Sequence, residues 1–274
     1  MKRILLSISL IFAVFAVFGQ TTAYKTMKDI PYYSVQERSQ NEYIDQRCKL
    51  DIYYPENEKN FLTLVWFHGG GLTGGSKHIP DELKEKGFCV VAVNYRLSPR
   101  AGCPAYLEDA AAAVAWVFNH IAEYGGNSER IVLSGHSAGA YLSGMLGLDK
   151  SWLQKHEIDA KRIAALFLLS AQTITHFTIR KERGLPELQA LIDEYAPLYH
   201  VCADAPPVYL MTGDREKELL GRYEENAYLW RMMQLAGHKH TKLYEFDGYG
   251  HDMLAPAFPL MIKILREQTR YTAN

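Results

Sequence analysis

Strand-like and helix-like segments alternate along most of this 274-residue chain. Runs with the length and apolar composition of buried strands cover residues 50–54, 61–67, 88–93, 131–134, 163–169, 208–211 and 243–246. Helical spacing of apolar residues appears between these runs, most clearly over residues 106–124. Repeated strand, helix, strand order brings successive strands together in parallel, with helices on both faces of the sheet. The sequence therefore predicts an α/β fold with a mostly parallel central sheet.

Two further helices are predicted from the residues that begin or end them. Pro80 opens a short helical stretch and Gly87 ends it, which predicts a crossover helix between the strands at 61–67 and 88–93. Residues 257–268 follow Pro256 and have the apolar spacing of a terminal helix.

The composition is that of an ordinary globular chain, with 48% hydrophobic and 22% charged residues. A chain of this length can bury one large core, so we expect a single domain over residues 20–274. The formal net charge is -1, and no stretch clusters lysine and arginine on the scale that nucleic-acid binding needs. Nucleic acid is therefore not predicted as a partner.

The N-terminus has the pattern of an export signal. Lys2 and Arg3 precede an apolar run over residues 4–18, and small residues follow near its end. The run is shorter than the roughly 20 apolar residues that cross a bilayer, which favours a cleaved signal peptide over an uncleaved anchor. We predict a signal peptide over residues 1–19 and an exported protein, periplasmic or secreted, with no stable membrane anchor after cleavage.

The chain has four cysteines, which are Cys48, Cys89, Cys103 and Cys202. Their pairing stays open, because four cysteines allow three connectivities and none of them forms the Cys-x-x-Cys spacing of a redox or zinc site. Cys89 lies within a strand-like run, which favours a free core thiol. His238 and His240 lack a nearby acidic or cysteine partner, so no metal site is predicted, and no cofactor is expected.

The segment Gly135-His136-Ser137-Ala138-Gly139 stands between a β-branched run and a helical pattern of small residues. A serine at that place sits at the apex of a sharp strand-to-helix turn, where its hydroxyl projects from a strained backbone. The positions two before and two after it need residues without bulk, and Gly135 and Gly139 meet that need. This pattern predicts that Ser137 is a nucleophile.

A second glycine-rich segment, His68-Gly69-Gly70-Gly71, follows the strand at 61–67. Backbone amides can approach a substrate closely where side chains are absent, so such a turn can donate hydrogen bonds to a developing oxyanion. We predict that the N–H groups of Gly70, Gly71 and Ala138 form an oxyanion hole. His68 is predicted to shape the loop by hydrogen bonding rather than to act as a base.

A nucleophilic serine of this kind needs an acid and then a histidine further along the chain. His251 lies in a glycine-rich loop just past the last strand and is the predicted base. Asp214 stands directly after the strand at 208–211 and is the predicted acid, with helix capping as its alternative role. Glu216 is the second candidate for the acid, and Glu218 is also close enough to compete.

Residues 171–206 interrupt the alternation with several prolines and with apolar residues scattered between charges. Long connections in compact domains tend to be functional or mobile. We predict that this segment is a small lid or cap over the carboxyl edge of the sheet. A plain surface excursion of helix and loop is the alternative, and the sequence leaves both open.

These motifs, in this order and at this rough spacing, resemble those of the α/β-hydrolase superfamily, in its branch of HGGG-type carboxylesterases related to hormone-sensitive lipase. Arylformamidase-like members are similar as well. The resemblance runs from about Leu50 to the end of the chain and includes Asn94-Tyr95-Arg96-Leu97-Ser98-Pro99. It implies an α/β-hydrolase fold with the triad Ser137, Asp214 and His251. Lipase-like relatives carry a large N-terminal helical cap, whereas here only residues 20–47 and 171–206 are available to cover the site.

Together with the predicted export signal, the resemblance implies an exported serine carboxylesterase that acts through an acyl-enzyme. A small cap leaves a shallow pocket, which favours small, acetyl-like esters. Carbohydrate or plant-derived esters are candidate substrates. An amide hydrolase of the arylformamidase or peptidase type shares every catalytic residue and is the alternative. A binding protein on an inactive hydrolase scaffold is disfavoured, because no triad position is substituted. The acyl and alcohol preference and the oligomeric state stay open.

Overall fold

A computed structural model describes residues 22–186, 188–219 and 221–271 of the chain. The predicted signal peptide, residues 1–19, lies outside these residues. Among the helices that are described, none combines the length and the apolar character that a bilayer span requires.

The centre of the fold is one eight-stranded sheet. Its strands are β1 (Tyr24–Pro31), β2 (Lys49–Pro55), β3 (Phe61–Phe67), β4 (Cys89–Val93), β5 (Gly126–His136), β6 (Ile163–Leu169), β7 (Val208–Gly213) and β8 (Thr241–Phe246). They lie in the order β1-β2-β4-β3-β5-β6-β7-β8. Strand β2 is antiparallel to β1 and to β4, and every other pair is parallel. The prediction of a mostly parallel sheet is confirmed.

Helices cover both faces of the sheet. They are α1 (Val35–Gln40), α2 (Glu42–Arg47), α3 (Ala105–His120), α4 (Ala138–Leu148), α5 (Ser151–Gln154), α6 (Phe177–Glu182), α7 (Arg222–Leu235) and α8 (Leu254–Tyr271). On one face, Val65 and Phe67 of β3 belong to the core that includes α3 and α4. On the other face, Leu64 and Trp66 pack in the core that includes α8. The nearly continuous apolar sequence of β3 follows from this burial on both sides.

The predicted crossover helix between Pro80 and Gly87 is wrong. Only a single 3₁₀ turn, Asp81–Leu83, forms there. Leu83 is fully buried, but most of its neighbours are exposed, so the segment has no apolar stripe with which a longer helix could pack. Glu85 and Gly87 both adopt left-handed backbone conformations, with φ of 57° and 84°. The predicted helix over 106–124 is present as α3, continued by a 3₁₀ turn at Ile121–Tyr124.

All four cysteines are free thiols. Cys48 and Cys89 are buried, and Cys103 and Cys202 are half-buried. Cys89 therefore lies in the core as a free thiol, as its strand-like surroundings predict. Burial raises the pKa of the Cys89 thiol, which keeps it protonated at neutral pH.

The parallel strands end at one edge of the sheet, and the predicted site residues follow those ends. The glycine turn begins directly after β3, Ser137 after β5, and Asp214 after β7. His251 lies in the loop between β8 and α8. Because parallel strands present their carboxyl ends together, the topology alone brings these distant parts of the chain to one edge.

Candidate active site

Ser137 stands at the sharp turn from β5 into α4. Its backbone adopts φ 55° and ψ -116°, a conformation that is sparsely populated for residues other than glycine. A Cβ atom on Gly139 would lie 2.0 Å from the Phe67 carbonyl oxygen, and one on Gly135 would lie 2.4 Å from the Gly139 carbonyl carbon. Side chains at these two positions would push β3, β5 and α4 apart. The glycines therefore permit the turn that projects Ser137.

The glycine turn after β3 lies directly against this serine. A Cβ atom on Gly69 would be 3.5 Å from the Ser137 Cβ atom. Gly70 and Gly71 have φ of 110° and 61°, the region that favours glycine. Within the described part of the chain, the amide N–H groups of Gly70, Gly71 and Ala138 have no hydrogen-bond acceptor. These are the three predicted oxyanion donors, and none of the three has an acceptor among the described residues.

His251 is attached to the serine turn through the neighbouring residue His136. The His136 Nε2 atom lies 2.8 Å from the His251 carbonyl oxygen, and the two ring centroids are 4.7 Å apart. The Ser137 hydroxyl makes no hydrogen bond to any described residue, and the Nε2 atom of His251 has no partner among them either. The hydrogen bond between a nucleophilic serine and its histidine is often long in unliganded enzymes and shortens when substrate binds.

The carboxylate that contacts His251 is Glu218, so the prediction of Asp214 as the acid is wrong. The Nδ1 atom of His251 lies 2.7 Å from the Glu218 Oε1 atom. The Asp214 carboxylate instead accepts backbone N–H bonds from Glu216 and Gly248, both at 2.9 Å. It caps the turn after β7 and pins the loop that precedes His251. Glu216, the second candidate, is exposed.

A single helical turn after Asp214 places Glu218 near the end of β7. The N–H groups of Lys217 and Glu218 both donate to the Asp214 carbonyl oxygen, at 2.9 and 2.8 Å. This helical turn places the residue four positions after Asp214 near the strand end, whereas the Asp214 side chain points to the loop surface. A spacing of four from Asp214, the first residue after the strand, is the signal that could have favoured Glu218 over Glu216.

The Glu218 carboxylate is held by four donors. Oε1 accepts from His251 and from the Leu219 N–H at 2.8 Å, and Oε2 accepts from the Ser170 hydroxyl at 2.7 Å and the Gly213 N–H at 3.1 Å. Burial opposes ionisation of Glu218, but the hydrogen bonds from His251, Ser170 and Leu219 outweigh it and lower the pKa of Glu218 to about 2. The carboxylate is therefore ionised and able to stabilise an imidazolium.

Ser170 is a residue of this site that the sequence analysis missed. It follows β6 directly and has a φ of 51°. Its hydroxyl oxygen lies 2.8 Å from His251 Nδ1 as well as 2.7 Å from Glu218 Oε2, so it touches both partners of the pair. The buried Arg222 guanidinium donates to the Ser170 carbonyl oxygen and so holds the Ser170 backbone in place. Nothing in the local sequence distinguishes Ser170 from an ordinary strand-terminating serine.

Residues 171–206, for which a lid was predicted, pack against the glycine turn. The Thr178 hydroxyl at the start of α6 donates to the Gly71 carbonyl oxygen. The Phe177 ring is so close that a Cβ atom on Gly71 would lie 2.9 Å from its Cζ atom. Near the start of the segment, the Thr173 N–H donates to the Glu225 carboxylate of α7 at 2.9 Å. The segment therefore borders the candidate site.

Comparison with known proteins gives a family match and a set of relatives. Residues 50–225 match the family model described as BD-FAE. The probable carboxylic ester hydrolase LipM of Mycobacterium tuberculosis is 28% identical in an alignment of 226 residues that covers 73% of this chain and 52% of that protein. The chain spans about half the length of the curated relatives it matches.

Solved structures show the same fold at lower identity. A truncated form of a carbohydrate esterase from gut microbiota has a TM-score of 0.73 and 18% identity, and the alignment covers 92% of this chain and 98% of that one. Thermogutta terrifontis esterase 2, phosphoramylated by tabun, has a TM-score of 0.69 and 21% identity, covering 88% and 94% of the two chains. The α/β-hydrolase fold implied by the sequence motifs is confirmed.

The family match covers well over half of the chain and contains the glycine turn, Ser137 and Glu218, while His251 lies beyond it. The resemblance that the motifs suggested is thereby confirmed at the level of the family. This chain belongs to the BD-FAE family.

Proposed function

We propose that this protein is a serine carboxylesterase that cleaves small, acetyl-like esters through an acyl-enzyme. The observation that carries the proposal is that three groups lie at one sheet edge: a serine on a strained turn, three amides near it that have no acceptor among the described residues, and an imidazole paired with an ionised carboxylate. Carboxylic ester hydrolases and esterases among the relatives and fold neighbours support this reaction class.

Each residue of the site has a defined part in the reaction. Ser137 Oγ attacks the ester carbonyl carbon while His251 Nε2 takes the hydroxyl proton, and Glu218 stabilises the resulting imidazolium. The carbonyl oxygen becomes an oxyanion, which the free amides of the glycine turn and Ala138 can stabilise. Collapse of this intermediate breaks the ester C–O bond, and His251 returns the proton to the leaving alcohol. Water then hydrolyses the acyl-enzyme by the same steps.

Small acyl groups are favoured by what surrounds the glycine turn. Phe177 packs against Gly71 and narrows the space beside the predicted oxyanion hole. Residues 171–206 border the glycine turn, and we infer that they form a small cap that does not enclose the leaving alcohol. Sugars and plant-derived alcohols are therefore candidate leaving groups, and a carbohydrate esterase among the fold neighbours supports this choice.

Export is part of the proposal and rests on the sequence pattern of residues 1–19. Cell fractionation with N-terminal sequencing of the recovered protein tests it. A mature chain that begins near Gln20 in the periplasm or medium supports export. A full-length chain in the cytoplasm overturns it.

A substrate panel tests the reaction class. We expect purified protein to hydrolyse p-nitrophenyl acetate faster than the butyrate, and the octanoate slowest, and we expect Ser137→Ala to abolish all three activities. Acetylated sugars and feruloyl esters extend the panel to the candidate leaving groups. Rapid turnover of an N-formyl aryl amide with negligible ester cleavage would replace the proposal with an amidase of the arylformamidase type. Absence of any Ser137-dependent turnover would indicate a binding protein on a hydrolase scaffold.

A further inference from the structure

His68, the first residue of the glycine turn, is buried and held on several sides. Its ring stacks on the Tyr95 ring with centroids 4.4 Å apart and an interplanar angle of 12°. The Tyr95 hydroxyl donates to the His68 carbonyl oxygen at 2.7 Å. The His68 Nδ1 atom lies 2.7 Å from the carbonyl oxygen of the next residue, Gly69. The ring therefore contacts the backbone of the turn that carries the predicted oxyanion donors.

Arg47, at the end of α2, and the Gly69 carbonyl oxygen together fix which ring nitrogen of His68 carries the hydrogen. The Arg47 Nη2 atom lies 3.2 Å from His68 Nε2. A guanidinium can only donate, so Nε2 must be the acceptor, and the hydrogen must be on Nδ1, from which it is donated to Gly69. Burial, together with the charge of Arg47, lowers the pKa of His68 to about 4. The ring is therefore neutral and held in one tautomer.

The hydrogen bond to Gly69 controls the direction of an amide. A trans peptide is planar, and its C=O and N–H groups point to opposite sides. Because the Gly69 carbonyl oxygen is held toward His68, the Gly70 N–H must point away from that ring. The Gly70 carbonyl oxygen is held in a similar way by the N–H groups of Thr73 and Gly74, at 3.0 and 2.9 Å, which directs the Gly71 N–H. The Thr73 hydroxyl also donates to the Gly70 carbonyl oxygen, at 3.3 Å, whereas the anchor at Gly69 is the His68 ring.

Gly75 leaves room for the hydrogen bond between His68 and Gly69, because it has no side chain. A Cβ atom at Gly75 would lie 2.4 Å from both the Gly69 carbonyl oxygen and His68 Nδ1. The Arg47 guanidinium reaches the same place, since its Nη2 also donates to the Gly75 carbonyl oxygen at 2.7 Å and its Nε donates to the Tyr95 carbonyl oxygen at 3.0 Å. One arginine thus ties together the His68 ring, the far end of the turn and the neighbouring loop.

We propose that Arg47 is a positioning residue for the oxyanion hole, acting through the tautomer of His68 to aim the Gly70 amide at the substrate. This inference rests on the proposed esterase function. Arg47 lies before residues 50–225, the segment that matches the family model. Loss of one oxyanion donor typically costs about 100- to 1,000-fold in kcat, and a misdirected donor should cost part of that.

Two arginine variants and one spectrum test the role. Arg47→Met keeps the aliphatic stem and removes all three donated bonds, and we expect it to lower kcat for p-nitrophenyl acetate by about 10- to 100-fold with KM within about threefold. Binding of an alkyl boronic acid, which forms a tetrahedral adduct with serine, should weaken in parallel with kcat. Arg38→Met is the matched control: the half-buried Arg38 pairs with Asp45 within the same N-terminal segment and, among the described residues, has no hydrogen bond to His68 or the glycine turn, so its loss should leave kcat unchanged.

The spectrum of the wild-type protein reports the tautomer of His68 directly. In ¹⁵N-histidine NMR of the wild-type protein at neutral pH, with His68 assigned by its loss in His68→Asn, we expect a protonated Nδ1 and an unprotonated Nε2. A protonated Nε2, or a charged ring, overturns the proposal. Unchanged kcat and an unchanged His68 tautomer in Arg47→Met overturn it as well. A wild-type protein that cleaves no ester contradicts the proposed function instead, and the NMR result then still reports on the Arg47 and His68 contact.

Discussion

Replacing Glu218 with glutamine should reduce kcat/KM for p-nitrophenyl acetate by about 100- to 10,000-fold, equivalent to about 3 to 5 kcal/mol of transition-state stabilisation. Loss of a charged hydrogen bond accounts for about 1.5 to 3 kcal/mol of this. The remainder comes from the imidazole, because an amide NH₂ facing His251 Nδ1 cannot accept its hydrogen and favours the wrong tautomer.

The surroundings of Glu218 make this substitution hard to accommodate. Each carboxylate oxygen accepts one backbone N–H, from Leu219 at Oε1 and from Gly213 at Oε2. In either orientation, the NH₂ group of a glutamine therefore faces a backbone N–H, which is also a donor. Neither backbone N–H can rotate away. We expect this conflict to cost about 1 to 3 kcal/mol of folding stability as well, so urea unfolding must accompany the kinetics.

Two neighbouring carboxylates serve as comparisons. Glu216→Gln makes the same chemical change on an exposed side chain, and we expect kcat/KM to stay within about twofold of wild type. Asp214→Asn removes one of two acceptors from an exposed loop contact, and we expect a loss of less than about tenfold. A larger loss in Asp214→Asn than in folded Glu218→Gln would refute the assignment of Glu218 as the acid.

Three other consequences of the structure can be measured. Ser170→Ala removes one of the four donors to Glu218, and we expect kcat to fall by about 5- to 30-fold with KM nearly constant. An unchanged kcat would show that the hydroxyl has no influence on the pair of Glu218 and His251. Gly139→Ala should destabilise the protein by at least about 2 kcal/mol in urea unfolding because its methyl meets the Phe67 backbone, and Gly144→Ala on the same helix, with looser surroundings, is the control. The folded-state pKa of Glu218 lies near 2, below its ordinary value of about 4.5. Its contribution to the free energy of unfolding is therefore complete above about pH 4.5 and is lost as the pH falls toward 2. Acid unfolding that is identical in wild type and Glu218→Gln would contradict this.

The parts of this protein that could be predicted from sequence are those that depend on local chemistry. The turn around Ser137 needs small residues at fixed spacing, and Gly135 and Gly139 are there for a reason visible in the sequence. The buried parallel strands are equally visible, because burial on both faces requires continuous apolar runs. The edge strand β1 was not predicted, since five of its eight residues are exposed and it lacks an apolar run.

The carboxylate that contacts His251 could not be identified in this way, because its position depends on how the chain turns after β7. Asp214 is adjacent to the strand end, but its short side chain is used by the N–H groups of Glu216 and Gly248. Glu218 reaches His251 only because one helical turn brings it back over the sheet. Ser170 and Arg47 are harder still to foresee, since each acts through a partner distant in sequence, Glu218 in one case and His68 in the other.

The central claim is that Ser137, His251 and the three free amides act on one substrate carbonyl. A crystal structure of the protein after reaction with diethyl p-nitrophenyl phosphate tests it most directly, because the adduct mimics the tetrahedral intermediate. We expect the phosphorus to be bonded to Ser137 Oγ, with its unesterified oxygen about 2.7–3.1 Å from the amides of Gly70, Gly71 and Ala138. His251 Nε2 should face the adduct. A phosphoryl group on another residue, or an adduct oxygen turned to solvent away from these amides, would contradict the account.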